Sequence, residues 1–320
     1  MNLNFKNLEK IKSDASFRIF FRKKNKKKKS IIVYADREKK KNLLIYDAIN
    51  QLLLKNNILS PKLYNENYSK NYIEIQDFGN ESAFVKLKKK NNKRKFFKKI
   101  ISLLIKIQNI KQRKIKDFKK KNYKIPIYTK KLLTKETNLF FEWYVSKLIS
   151  KKEIPIFKKK FQQKINYLLS QIKLSNNTFV HRDFHVSNLI FFKKKLAIID
   201  SQDALIGNKA YDLASVIDDV RIKTSKELKY LTFKHYLKVN EKKLNKKNFK
   251  NDFEILSVLR NLKIIGIFTR LSIRDKKHKY LKLIPHAWGL IESRIENNLV
   301  FKDLKEFLDY YFPKKIRIKK

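Results

Sequence analysis

The sequence has no cysteine, which excludes disulfide bridges and thiolate-held metals and fits a reducing compartment. Glycine (4), proline (5) and tryptophan (2) are scarce, while Lys, Asn, Ile, Phe and Tyr are abundant, the pattern expected of an AT-rich genome. No apolar run approaches the ~20 residues of a membrane-spanning helix, because lysine interrupts each one within a few residues. The opening "MNLNFKNLEKIKSDASF" is charged throughout and lacks the apolar core of a secretory signal. A soluble, cytoplasmic protein is therefore expected. Acidic residues are also few, 29 against 79 Lys and Arg, for a formal net charge of +50.

What is present is a globular composition: 320 residues, 42% hydrophobic and 13% aromatic, enough for one large domain or two smaller ones. Charge of this size attracts polyanions whatever the fold. The lysines, however, run along the whole chain, as in "KKNKKKK" (23–29) and "KLKKKNNKRKFFKK" (86–99), rather than gathering on one element. They read as solvated surface, and no dedicated nucleic-acid or membrane partner is expected.

Residues 1–12 read as a short amphipathic helix carrying Leu3, Leu8 and Ile11. The runs at 16–23 and 30–36 read as a β-hairpin, 38–57 as a helix, and the stretch after "SPKLY" as a strand pair ending in "YIEIQDFGN" (72–80). From about residue 81 the pattern turns helical, at 95–110, 138–150, 157–174, 211–222, 253–273 and 303–312. The C-terminal "KKIRIKK" reads as a frayed basic tail. The organisation predicted is α+β and two-lobed: a small β-rich N-lobe over 1–80 and a mostly helical C-lobe over 81–320.

One segment escapes the lysine bias. "FVHRDFHVSNLIFFKKKLAIID" (179–200) gathers two histidines, two aspartates and an asparagine around a short hairpin. It matches H-R-D-x-x-x-x-N, the catalytic-loop pattern of protein kinases. In that pattern Asp183 accepts the proton of an attacking hydroxyl. Asn188 and Asp200 offer the hard oxygen ligands that Mg²⁺ prefers. Singly, each has an ordinary reading: His181 as a structural histidine, His185 with His181 as a weak metal pair, Asp183 as a turn residue and Asn188 as a cap. The joint order of Asp183, Asn188 and Asp200 favours the kinase-type site.

The stretch from "HRDFHVSNLI" through "IDSQDALIGNKAYDLAS" resembles the aminoglycoside phosphotransferase and choline kinase superfamily, in which a protein-kinase-like fold binds ATP and Mg²⁺. "SDASFRIFFR" (13–22), "LFFEWY" (139–144), "IDSQDALIGNKAYDLAS" (199–215) and "RNLKIIGIFTRLSIRDKKHKYL" (260–281) resemble the bacterial anomeric kinases of N-acetylmuramate and N-acetylglucosamine. The resemblance implies ATP-dependent phosphorylation of a sugar C1 hydroxyl in cell-wall recycling, with ATP and a small-molecule sugar as the partners.

It also implies residue roles. The turn at Asp14, Ala15, Ser16 and Arg18 would cover the nucleotide phosphates, although a plain helix-to-strand turn satisfies the same residues. Family members usually have Gly where this chain has Ser13. The strand lysine that kinases aim at the phosphates is missing, its place falling at Tyr34, Ala35 and Asp36, and Arg18 or magnesium is left to neutralise them. Gln76, Asp77 and Phe78 would form the adenine hinge, or a simple connector. Asp212 would brace the catalytic loop, with His181 as structural support. Glu142 and Trp143 are the sugar candidates, with an apolar helix stripe as the competing reading of the tryptophan. Arg270 and Arg274 fit either the lactyl carboxylate of N-acetylmuramate or structural salt bridges. Two alternatives stay open: a related kinase of an amino alcohol, aminoglycoside or other sugar, and a basic nucleic-acid-binding protein with a vestigial kinase fold.

Overall fold

The computed structural model describes residues 8–11, 16–23, 29–89, 93–241, 244–296 and 298–318. The N-terminal part is a five-stranded antiparallel sheet in the order β1-β2-β3-β5-β4: β1 (Leu8–Ile11), β2 (Ile19–Lys23), β3 (Ser30–Tyr34), β4 (Leu63–Asn67) and β5 (Tyr72–Gln76). The aromatic and β-branched runs pair as the sequence predicts, Phe20 opposite Val33 and Phe21 opposite Ile32. Helix α1 (Lys41–Lys55) lies between β3 and β4 in the chain and closes one face of the sheet. Its Leu43 and Tyr46 join Val33, Ala35, Ile73 and Ile75 in one buried cluster.

The helix expected over 1–12 is overturned at Leu8–Ile11, which form a strand paired with Phe20–Lys23; residues 1–7 and 12 lie outside the described residues. The reason is tertiary: the outer edge of β2 offers unpaired backbone groups, and pairing them outweighs a weak local helical period.

Helices α2 (Ala83–Lys89) and α3 (Lys93–Gln108) follow, then a short hairpin of β6 (Lys114–Lys116) and β7 (Asn122–Lys124). Next come α4 (Lys130–Leu139) and α5 (Ile154–Ser170). Strand β8 (Thr178–Val180) leads into the hairpin β9 (Leu189–Phe192) and β10 (Lys195–Ile198), after which β11 (Leu205–Gly207) pairs with β8. The rest is helical: α6 (Ala210–Ile217), α7 (Lys226–Val239), α8 (Lys246–Ile273), α9 (Ile284–Ile295), α10 (Lys302–Tyr311) and α11 (Lys314–Arg317). Among the described residues no helix is long and apolar enough to cross a membrane.

The chain packs as two compact units. One runs to Pro126 and takes in Thr178–Ile206; the other comprises Ile127–Asn177 and the chain from Gly207 onward. Residue 80 marks the change from strand to helix, whereas the packing units assign the β9–β10 hairpin to the N-terminal part. Backbone bonds explain that assignment: Ile198 N–H donates to the Leu59 carbonyl at 2.8 Å, and Phe191 N–H donates to the Glu81 carbonyl at 2.8 Å. Phe78, Ile190 and Ala197 bury together beneath these bonds.

In the second unit α8 is buried on every side, as a central helix must be. Helix α6 ends at Ile217, short of the expected 222, because the next residue, Asp218, leaves the helical path to take its partners. Arg294 grips its carboxylate at 2.8 and 3.0 Å, Lys229 at 2.9 Å and the Ser257 hydroxyl at 2.6 Å. Burial pushes this carboxyl up, but Arg294 and Lys229 overcome that and hold its pKa at about 2. The C-terminus is a second correction. Arg317 is buried in α11, stacks 4.9 Å from the Trp288 ring, and pairs with Glu292 (2.9 Å) and Asp309 (2.6 Å). Residues 314–317 are thus anchored; 319–320 lie outside the described residues.

The segment expected as a regular helix over 138–150 instead widens into a π turn at Phe140–Tyr144 and tightens again at Val145–Lys147. Gly266 of α8 meets it there: a Cβ on Gly266 would lie 2.2 Å from the Leu139 carbonyl carbon and oxygen and 2.5 Å from the Phe140 nitrogen. Only backbone stands in the way, so nothing can yield cheaply. Gly266→Ala is expected to lower stability by about 3 kcal/mol. Thermal unfolding checks this, and an unchanged Tm would contradict the close crossing.

Candidate active site

The catalytic-loop pattern occupies the link between β8 and β9. Arg182 turns the chain with a left-handed φ of 75°, and Asp183 follows. The loop is pinned from within by His181, Phe184 and Val186, all fully buried. Burial pushes the His181 pKa down to about 4, against the nearby Asp183 carboxylate and backbone carbonyls that pull it up. A histidine neutral at ordinary pH fits the structural role expected of it. His185 N–H and the Asn188 side-chain amide both donate to the Asp183 carbonyl at 3.0 Å. Ile199 N–H donates to the Asn188 backbone carbonyl at 3.0 Å. These bonds lock residues 183, 188 and 199 together. With its Nδ2 so committed, Asn188 has its side-chain oxygen as the remaining ligand atom.

The hairpin carrying Asn188 to Asp200 turns at Lys193 and Lys194, both with positive φ, as a two-residue turn of this twist requires. Asp200 then takes a φ of 65°, a strained conformation for an aspartate. Its carboxylate accepts from the Arg18 guanidinium at 2.8 Å. Arg18 is itself buried, bonded through Nε to the Ser16 hydroxyl (3.1 Å) and through Nη1 to Asn42 (3.1 Å). Burial pushes the Asp200 carboxyl up, Arg18 pulls it down, and the Asp183 and Asp203 carboxylates push it up again. Among the described residues no three His, Asp or Glu side chains gather to hold a metal alone. A carboxylate and an amide oxygen fit Mg²⁺ nonetheless, because that ion is commonly held by one or two carboxylates plus substrate phosphates.

Ser16 and Arg18 thus lie together beside Asp200, while Asp14 and Ala15 fall outside the described residues. The strand position expected to carry lysine is taken by the buried Ala35, flanked by Tyr34 and Asp36. At the hinge, the Asp77 side chain is committed elsewhere. It receives Arg22 at 2.6 and 3.1 Å and the Gly79 N–H at 2.7 Å. The N–H groups of Gln76 and Asp77 donate to the carbonyls of Lys62 (2.9 Å) and Lys29 (3.4 Å), and Phe78 is buried against Ile190 and Ala197. Gly79 supplies the positive φ of 80° that lets the connector turn.

Glu142, Trp143 and Asp212 belong to the second unit. Phe140 and Tyr144 form the buried stripe of the π turn, leaving Trp143 half-buried and Glu142 exposed. Asp212 is fully buried in the first turn of α6. Arg274 forms an exposed pair with Asp275 at 2.8 Å. Arg270 is half-buried; burial and the Arg274 charge push its pKa down. Sequence reasoning missed Asn42, Tyr46 and Asn50 on α1, which reach the Asp200–Ser201 segment, and Arg22, which holds the hinge. The available signal was the four-residue spacing of polar groups within an otherwise apolar helix.

A strand-rich N-terminal part, a helical C-terminal part and an H-R-D loop followed by a hairpin are the organisation of a protein-kinase-like fold. Residues 7–242 match the Phosphotransferase enzyme family, and the chain belongs to that family. It is 27% identical to the N-acetylmuramate/N-acetylglucosamine kinase of Neisseria meningitidis serogroup B, over 85% of this chain and 81% of the relative. It is 24% identical to the enzyme of the same name from Pseudomonas putida, over 92% of this chain and 86% of that one. Among solved structures, an ethanolamine kinase from Plasmodium vivax shares the fold with a TM-score of 0.60 at 17% identity, over 92% of this chain and 84% of that one.

Removing the Asp77 carboxylate takes two bonds from Arg22, which keeps the Asn80 side-chain oxygen at 2.8 Å, and leaves the Gly79 N–H without its acceptor. Asp77→Ala is therefore expected to cost about 3 kcal/mol. Denaturant unfolding measures it, and a loss below about 1 kcal/mol would mean the pair is no more than a surface contact.

Proposed function

We propose that this phosphotransferase uses ATP to phosphorylate the anomeric hydroxyl of an amino sugar of the N-acetylmuramate/N-acetylglucosamine type. The observation that carries this reading is the similarity to kinases named for those two sugars across most of both chains, combined with Asp183 and Asn188 bonded in one loop that is tied at Ile199 next to Asp200.

Asp183 is the group that orients the acceptor hydroxyl and takes its proton as the phosphoryl group moves. Asn188 and Asp200 are the residues that would hold Mg²⁺, which supplies charge neutralisation at the phosphates when bound. Ser16 and Arg18 face the phosphate side. At the hinge, backbone atoms around Gln76, Asp77 and Phe78 take the adenine, since the Asp77 carboxylate is spent on Arg22 and the Gly79 N–H. Two hinge N–H groups are already donated, so the remaining backbone groups of the connector carry that contact. The products are a sugar 1-phosphate and ADP: the sugar oxygen gains the phosphoryl group, and its proton leaves through Asp183. Positioning and electrostatic complementarity supply most of the rate.

Within the second unit, Trp143 stands off the buried stripe of its turn and has an indole face of the kind that packs on a pyranose ring, with the exposed Glu142 beside it able to accept hydroxyl hydrogen bonds. Arg274 is engaged by Asp275, so Arg270 is the better candidate to meet a substrate carboxylate.

The test is ATP consumption with N-acetylglucosamine, N-acetylmuramate and the 1-O-methyl glycoside of each. Turnover is expected with the free sugars and not with the glycosides, and Asp183→Asn should reduce kcat by about a thousandfold or more. Turnover of the methyl glycosides would move the phosphate to another hydroxyl. Turnover of none of the four would remove the amino-sugar reading.

A further inference from the structure

We infer that helix α1 carries a polar stripe, Asn42, Tyr46 and Asn50, which together with Arg18 positions Asp200, in place of the strand lysine and helix glutamate that pair in protein kinases. This inference rests on the metal–nucleotide reading above and adds positioning residues to it.

Both halves of the usual pair are missing. Strand β3 (Ser30–Tyr34) contains no lysine. The one acid of α1, Asp47, is bonded to Gln51 and lies near Asp117. Three other α1 residues, four apart and so on one helix face, lead to residues 200 and 201 instead. Asn42 holds the Arg18 guanidinium at 3.1 Å, and Arg18 holds the Asp200 carboxylate at 2.8 Å. Tyr46 is buried beneath Arg18, which lies 5.3 Å from its ring centroid. Asn50, also buried, accepts through Oδ1 from both the Ser201 and Ser60 hydroxyls at 2.7 Å. Ser60 adjoins Leu59, whose carbonyl receives the Ile198 N–H.

Apolar residues at these positions would close the core at less cost. These groups instead hold a strained residue from two directions: its carboxylate through Arg18, backed by Asn42 and the Tyr46 ring, and its successor through Asn50. That is the work of groups that orient a ligand rather than serve as one. Asp200, with φ at 65°, needs such over-determination to stay where a metal requires it. A guanidinium suits the task because its rigid planar fork reaches Ser16, Asn42 and Asp200 in fixed directions, whereas an ammonium is a point charge on a flexible stem.

The experiment is calorimetric titration of ADP at graded Mg²⁺ and without metal, on the full chain and on Arg18→Ala, Arg18→Lys, Asn42→Ala and Asn50→Ala. Thermal unfolding of each protein runs alongside. Asn50→Ala should raise the Mg²⁺ concentration for half-maximal ADP binding by about tenfold, leaving metal-free ADP affinity within about twofold, and Arg18→Ala should raise it by at least as much. Arg18→Lys should restore only part of the loss. Asn42, half-buried near the start of α1, tolerates alanine without risk to the fold and carries the test if Asn50→Ala does not fold; a smaller rise is expected there. Tighter Mg²⁺ dependence in Arg18→Ala would overturn the inference, making Arg18 a competitor for the carboxylate. An equal loss of metal-free ADP binding in Asn50→Ala or Asn42→Ala would also overturn it, making the network a general support of the fold. ADP binding by the parent protein with no Mg²⁺ dependence would defeat the metal reading itself, an outcome visible before any variant is compared.

Discussion

An aspartate held at φ 65° and pushed by burial and by the charges of Asp183 and Asp203 has both backbone strain and electrostatics against it. Each is of a size that surrounding structure must offset. The first unit does so by converging on that residue. The β9–β10 hairpin is bonded on one side to Leu59 and on the other to Glu81, so its end cannot slide relative to the sheet. Arg18 approaches from the start of β2, and α1 approaches from above the sheet. A single misplaced strand would release all three restraints, so the sheet, the helix and the hairpin form one device for placing a carboxylate.

The charge balance follows the same logic. With 79 basic residues and 29 acidic, a carboxylate cluster could easily be neutralised by neighbouring lysines. Instead Asp200 pairs with Arg18 and Asp203 with Arg182 at 3.6 Å. Arginine keeps its charge and its planar geometry when buried, whereas a lysine there is a mobile point charge that competes with a divalent ion. The lysines lie mostly on exposed positions, where their contribution is a positive field that raises the local concentration of anionic nucleotides without choosing among them.

Much of this was legible in the sequence because it depends on short-range periodicity. The β2–β3 hairpin, α1, the β9–β10 hairpin and the long helices each carry their own pattern, and the order of Asp183, Asn188 and Asp200 carries the proposed chemistry. What escaped was set by distant partners. Leu8–Ile11 is a strand because β2 has an edge to fill. Phe140–Tyr144 widens into a π turn where Gly266 crosses, more than a hundred residues later in the chain. Arg317 looked like a tail residue because its partners, Trp288, Glu292 and Asp309, are recognisable only once α9 and α10 have packed. The Asn42, Tyr46 and Asn50 stripe was present as a spacing, but a spacing does not say what it faces.

The most direct test of the central claim is binding of Mn²⁺, as a spectroscopic stand-in for Mg²⁺, in the presence of ADP. Electron paramagnetic resonance can follow it in the parent protein, in Asp200→Ala and in Asp183→Asn. If Asp200 is a metal ligand and Asp183 a proton acceptor, the ADP-dependent Mn²⁺ signal disappears in Asp200→Ala and persists in Asp183→Asn. An unaltered signal in Asp200→Ala would contradict the assignment and leave the strained geometry at residue 200 without its purpose.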